Sequence, residues 1–160
     1  MLAEFLGAVQ ESALATTLRR SLWVYPFVNA SHVVGLALLF GAILPLDLRL
    51  IGFWRSVSIA VLARVLLPVA IAGLGLAVVT GVLLFSVKAV EYADLTLFRI
   101  KLLLILCAVA NALLLRLAPA WAACRESDAA GTAPRLRVAG ALSLGLWLAV
   151  ILCGRMIGYL

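Results

Sequence analysis

The chain has 160 residues, 66% of them hydrophobic and 12% charged, with a mean hydropathy of +1.22. A water-soluble domain carries roughly 45–50% apolar and about 25% charged residues, so this polar complement is too small to cover a fold in water. Thirteen basic against seven acidic residues give a formal charge of +6, but the basic residues stand at the ends of apolar runs, where head groups and cytoplasmic loops attract them. A soluble domain is excluded, and nucleic acid is not an expected partner.

At the N-terminus, Leu2, Phe5, Leu6, Val9, Ala13, Leu14 and Leu18 recur at helical spacing, while Glu4, Gln10, Glu11, Thr17 and Arg20 take the other side. The pattern predicts an amphipathic helix over about 2–20 lying in the membrane interface. Glu4 and Glu11 break the apolar core that a cleaved signal peptide needs, so this segment is expected to be kept. A first span follows over about 22–46, opened by Trp23, Tyr25 and Phe27 with Pro26 in its first turn and closed at Pro45, Asp47 and Arg49. The second, about 59–87, contains Pro68, Gly73, Gly75 and Gly81 and is expected to be long, tilted and kinked. Lys88, Glu91, Tyr92 and Asp94 form its exit loop.

The third span, about 97–118, ends before Pro119. The loop after it, RESDAAGTAPRLR, is the most polar stretch and the expected flexible segment. A fourth span over about 138–159 ends with Arg155 and Tyr159 at the interface. Residues 1–160 are thus read as one all-α domain, an integral membrane four-helix bundle preceded by an interfacial helix, with the lipid bilayer as its first partner. The third loop is the densest basic segment, which favours both termini on the outer, periplasmic side of a bacterial inner membrane.

His32 is the only histidine, roughly 15 Å along the first span at the helical rise. An ionisable group at that depth usually faces a bundle interior, a cavity or a cofactor. Two readings stand side by side: a neutral imidazole hydrogen-bonded between helices, and a ligand of haem or metal. One imidazole is too few for a closed metal site or for bis-histidine haem within one chain. An antiparallel arrangement puts Asn111 at about the depth of His32 with Cys107 a turn away, and with Asn29 and Ser31 these make a small polar cluster. Cys107, Cys153 and Met156 offer soft ligands for monovalent copper beside His32. Free cysteines are, however, common buried small residues.

Asp47 and Arg49 cannot face each other two residues apart on a helix, so Asp47 is expected to form a structural ion pair with Arg64 or Arg116. Gly73, Ala77 and Gly81, and Gly154 and Gly158, lie four apart and predict close backbone packing, with a dimer face on the fourth span as a further option. Trp147 is open to lipid, a partner or a flat ligand. The chain carries no P-loop, no GxGxxG and no HExxH, and no nucleophile has a second histidine as base. Nothing here supports catalysis.

The run from residue 10 to 52, with WVYPFVNASH and LDLRLIG, resembles a family of small bacterial membrane proteins known as a domain of unknown function, whose pattern is WxYPxVxxxH followed by LDLRLxG. Thr80-Gly81, Lys101 and Asn111 are similar to the layout of copper-resistance protein D and its relatives. The resemblance implies a four-helix inner-membrane core and a connection to copper handling or to b-type haem, with His32 as the ligand position, supported by Asn29 and Asn111. Di-haem relatives place histidines on several helices and this chain has one, so the second ligand would come from another protomer or a partner subunit. The expected role is a non-enzymatic redox or metal-handling component binding haem b or copper near His32. The alternatives are an accessory or scaffold subunit of a larger membrane complex, as homodimer or hetero-oligomer, and an oligomeric permease.

Overall fold

The computed structural model describes residues 1–127 and 133–159, which form eight helices and no strand. They are α1 (Leu2–Glu11), α2 (Ala13–Arg20), α3 (Val24–Ile51), α4 (Ile59–Val87), α5 (Ala89–Asp94), α6 (Thr96–Leu117), α7 (Pro119–Ser127) and α8 (Pro134–Ile157). Of these, α3, α4, α6 and α8 are long and apolar enough to cross a bilayer. The protein is an all-α, multi-pass membrane bundle.

The N-terminal amphipathic segment is two helices. Ser12 divides them: its hydroxyl donates to the Val9 carbonyl (2.7 Å) and accepts from the Ala15 amide (3.3 Å), ending α1 and capping α2. Both helices pack over the end of the bundle where α4 gives way to α5. Ala15 and Leu18 are buried there, and the Gln10 side chain accepts the Val90 amide at 3.1 Å. On this exit turn Lys88 donates to Glu91 at 2.8 Å, and that hydrogen bond holds the Lys88 ammonium above the usual amine range.

The first span does not close at Pro45. α3 carries that proline inside it and runs on to Ile51. An interior proline costs about 3 kcal/mol of helix stability, but the extra turns bury Leu46 and Leu50 against Ile59, Ala63, Trp121 and Leu136, and this burial offsets it. Arg49, 3% exposed, fastens the loop that follows: its Nε donates to the Val57 carbonyl (2.6 Å) and its Nη2 to the Arg55 carbonyl (3.1 Å). Gly52 begins that loop at φ +125°, a conformation only glycine adopts cheaply.

The polar loop after the third span is largely helical where it is described. Residues 125–127 belong to α7 and 134–137 to α8, and the expected flexible stretch between them lies outside the described residues. Trp121 of α7 is buried in the core at this end of the bundle.

α3 is central, packing along α4 on one side and α8 on the other, while α8 packs on α6. α4 and α6 stand apart except where Phe85 stacks on Phe98, ring centroids 5.1 Å apart. α3 and α4 approach most closely through small residues: a Cβ on Gly73 would lie 2.5 Å from the Leu39 nitrogen, and one on Gly35 would lie 2.7 Å from the Ala77 nitrogen. Gly140 does the same for α8 against α3, where a Cβ would meet the Asp47 carbonyl at 3.0 Å. Close packing of the Gly73–Ala77 face is therefore realised within the chain. Gly154 is covered by the Lys101 side chain, at 3.4 Å from a built Cβ, and Gly158 caps α8.

Candidate functional site

Because α4 and α6 stand apart, a cleft runs between them, floored by α3 and α8 and pinched at its middle by Leu39, Leu74 and Trp147, which line both halves. The half toward the start of α3 is a cavity of about 310 Å³, walled by Val78, Gly81 and Phe85 of α4 and by Ile105 and Lys101 of α6, with His32 on its floor.

His32 is oriented by α4. Its Nδ1 lies 3.0 Å from the Thr80 hydroxyl, and that hydroxyl lies 2.6 Å from the Leu76 carbonyl one turn earlier. A threonine hydroxyl has one proton to give. The carbonyl can only accept, so the proton goes to Leu76 and Thr80 accepts from Nδ1–H. In the neutral ring this leaves Nε2 with its lone pair free. Gly81 makes room for the ring, since a Cβ there would lie 3.2 Å from His32 Cε1.

Lys101 is the second ionisable group of this cavity. The end of its side chain, Nζ and Cε, lies against Gly154 of α8, and none of the ion pairs among the described residues includes it. A cation in an apolar cavity beside a free imidazole nitrogen is suited to a ligand with both an electrophilic centre and a negative substituent.

The other half of the cleft is a cavity of about 280 Å³ that contains Asp47, Asn111, Arg116, Trp121 and Ser143. Asp47 is 4% exposed. Ser143 lines the same cavity, and Asp47 Oδ2 has no hydrogen-bond partner. Asn111 donates to the Ala139 carbonyl at 3.0 Å, tying α6 to α8.

This geometry redistributes the residues singled out from the sequence. His32 and Asn111 do not share a cluster: α3 and α6, the first and third of an alternating set, run in the same direction, which brings Lys101 and Ile105 level with His32 and Asn111 level with Asp47. Asn29 is exposed on α3. Cys107 and Met156 are exposed as well and line neither cavity, so the copper set of His32, Cys107 and Met156 is not assembled. Among the described residues no three His, Cys, Asp or Glu side chains gather as a metal site. The ion pair expected for Asp47 does not form either. Arg64 and Arg116 are both exposed, and the salt bridges among the described residues, Met1–Glu4, Lys88–Glu91 and Arg99–Asp94, all lie on the surface. Thr80 and Lys101 complete the His32 site. Their signal in the sequence was a hydroxyl and a lysine inside otherwise apolar spans, where polar groups need a reason.

Comparison of the chain with protein-family models, with curated proteins and with solved structures found no match.

Proposed function

We propose that this protein is a non-enzymatic membrane redox component that would bind haem b in the α4–α6 cleft, with His32 as the residue that would hold its iron. One observation carries the reading: Thr80 accepts from Nδ1–H of His32, which leaves Nε2 as the unprotonated nitrogen of a ring that lines an apolar cavity. Haem ligation asks this of a histidine, with one nitrogen fixed by a hydrogen bond and the other offered to the iron. The remaining residues fit the same group. Lys101 supplies a cation for carboxylate substituents, while Val78, Ile105 and Trp147 supply an apolar wall for a macrocycle. Bound there, a haem would contribute one-electron chemistry. The chain's own part is to supply one ligand, fix its ring orientation, neutralise a carboxylate and keep water away. Copper is less well served, because the donors available beside His32 are a hydroxyl and an ammonium.

The test is an oxidised-minus-reduced visible spectrum of protein purified from cells supplied with haem. Native protein is expected to show a Soret band and reduced α-band with stoichiometric haem. His32→Ala loses both, and Lys101→Ala keeps the band with weaker retention on dilution. A colourless native protein overturns the reading and returns His32 and Thr80 to the packing of α3 on α4.

We further place the protein in a bacterial inner membrane with both termini on the periplasmic side. The support is the third loop with Arg125, Arg135 and Arg137, the densest basic segment of the chain, on the side opposite the termini, and the preference of cytoplasmic loops for Lys and Arg.

A further inference from the structure

The second half of the cleft holds a buried acid without a counter-charge. Asp47 is 4% exposed, its Oδ2 has no hydrogen-bond partner, and it lines a cavity of about 280 Å³. A carboxyl group left in this state is costly in an apolar surround, and a partner entering the cavity would remove the cost. We propose that this cavity binds a lipid-soluble molecule with a hydroxyl head on an apolar, aromatic body, and that Asp47 recognises the hydroxyl.

The head group follows from the polar atoms on the page. Asp47 Oδ2 needs a donor if the group is a carboxylate, and an acceptor if that oxygen carries the proton; a hydroxyl serves in both states because it donates and accepts. Arg116 lines the same cavity and repels an ammonium head, but it can donate to a hydroxyl oxygen. A carboxylate or phosphate head would be repelled by Asp47 in its ionised state, whereas a hydroxyl is accepted in both. The Asn111 amide nitrogen donates to the Ala139 carbonyl, and Asp47 Oδ2 is the buried oxygen of this cavity without a partner.

The body follows from the walls. Trp121 and Trp147 both line the cavity among leucines and alanines, and flat indoles favour offset stacking with an aromatic ring. Access is sideways from the bilayer, since α4 and α6 do not pack together along this stretch and Ile71 and Leu113 of the lining are exposed to lipid. An alkyl-substituted phenol or hydroquinone matches the head, the ring and the route.

The probe is a brominated alkylphenol added to purified protein in detergent, with quenching of tryptophan fluorescence as readout and the same alkylbenzene without its hydroxyl as comparison. Native protein is expected to bind the phenol at least about ten-fold more tightly than the hydroxyl-free compound, because a site built for a hydroxyl discriminates strongly against its absence. In Asp47→Leu that preference should vanish while both compounds still quench, which also shows that the variant is folded. Ser143→Ala leaves the Asp47 carboxyl in place and should keep the preference. Equal affinity for the two compounds in native protein overturns the proposal, as does a preference that survives in Asp47→Leu. His32→Ala is expected to leave phenol binding unchanged, so this proposal and the haem reading stand or fall separately.

Discussion

Thr80 shows how much one side chain decides here. Its hydroxyl donates to Leu76 and accepts from His32, and it is buried. Replacing it with valine keeps the shape but strands Nδ1–H in an apolar surround. Thr80→Val is expected to cost about 1–3 kcal/mol, read as a lowered midpoint of thermal unfolding in detergent, and Thr80→Ser should restore most of the loss. Arg49 is the counterpart at the other end of α3. Its position in LDLRL suggests an ionic partner, but two backbone carbonyls of the following loop receive its protons. A guanidinium's rigid fork suits two acceptors a few ångströms apart. No spacing rule relates residue 49 to the carbonyls of 55 and 57, so this role was visible only once the loop was folded.

Among the elements, α3 and α4 form the tightest pair, and glycine sets their distance. Alanine at 73 would drive a methyl to 2.5 Å from the Leu39 backbone, and overpacking of this kind costs about 1–3 kcal/mol. At Gly75, two residues on, a Cβ meets nothing within 4 Å. There the higher helix propensity of alanine applies, about 1 kcal/mol in its favour. Gly73→Ala should therefore unfold at lower denaturant concentration than the native protein, and Gly75→Ala at equal or higher. The small-residue repeat on α4 was legible from its four-residue spacing, because one helix face is a local property. Its partner was not. The partner is Gly35 of α3, and the two glycines of that helix, Gly35 and Gly41, are not four apart.

Over the whole molecule, most of the lateral surface is apolar and exposed, and α6 is the least enclosed span, with 6% of its apolar window buried. Leu103, Leu106 and Leu114 stand outward beside Cys107. Lipid covers such a surface without any protein partner. Aromatic residues mark its two edges, Trp23 and Phe27 at one end and Phe53 and Trp54 at the other, all exposed, as expected of side chains that sit at head-group level. The orientation proposed above predicts that a reporter active only in the periplasm works when fused after Leu160, and that one requiring the cytoplasm stays silent there. The reverse pattern would put the arginine-rich end outside.

The all-α class, the four long apolar helices and a helical N-terminal segment before them could be read from the order of residues alone. Each depends on local quantities: run length, hydropathy and the helical repeat. Ile59–Val87 falls where the apolar run begins and ends. The end of α3 does not, because Pro45 signals a stop that burial of Leu46 and Leu50 overrides. The sites belonged wholly to the tertiary structure. His32 was recognisable as a residue needing a partner, but whether that partner was Asn111 or Thr80 and Lys101 depended on α3 and α6 running in the same direction and on the rotation of each helix. In a uniformly apolar span these rotations leave almost no periodic trace. Asp47 lost its expected arginine for the same reason. Helix position brought an open cavity to the carboxyl, left Arg64 exposed, and put Arg116 in the cavity lining without an ion pair to the acid among the described residues.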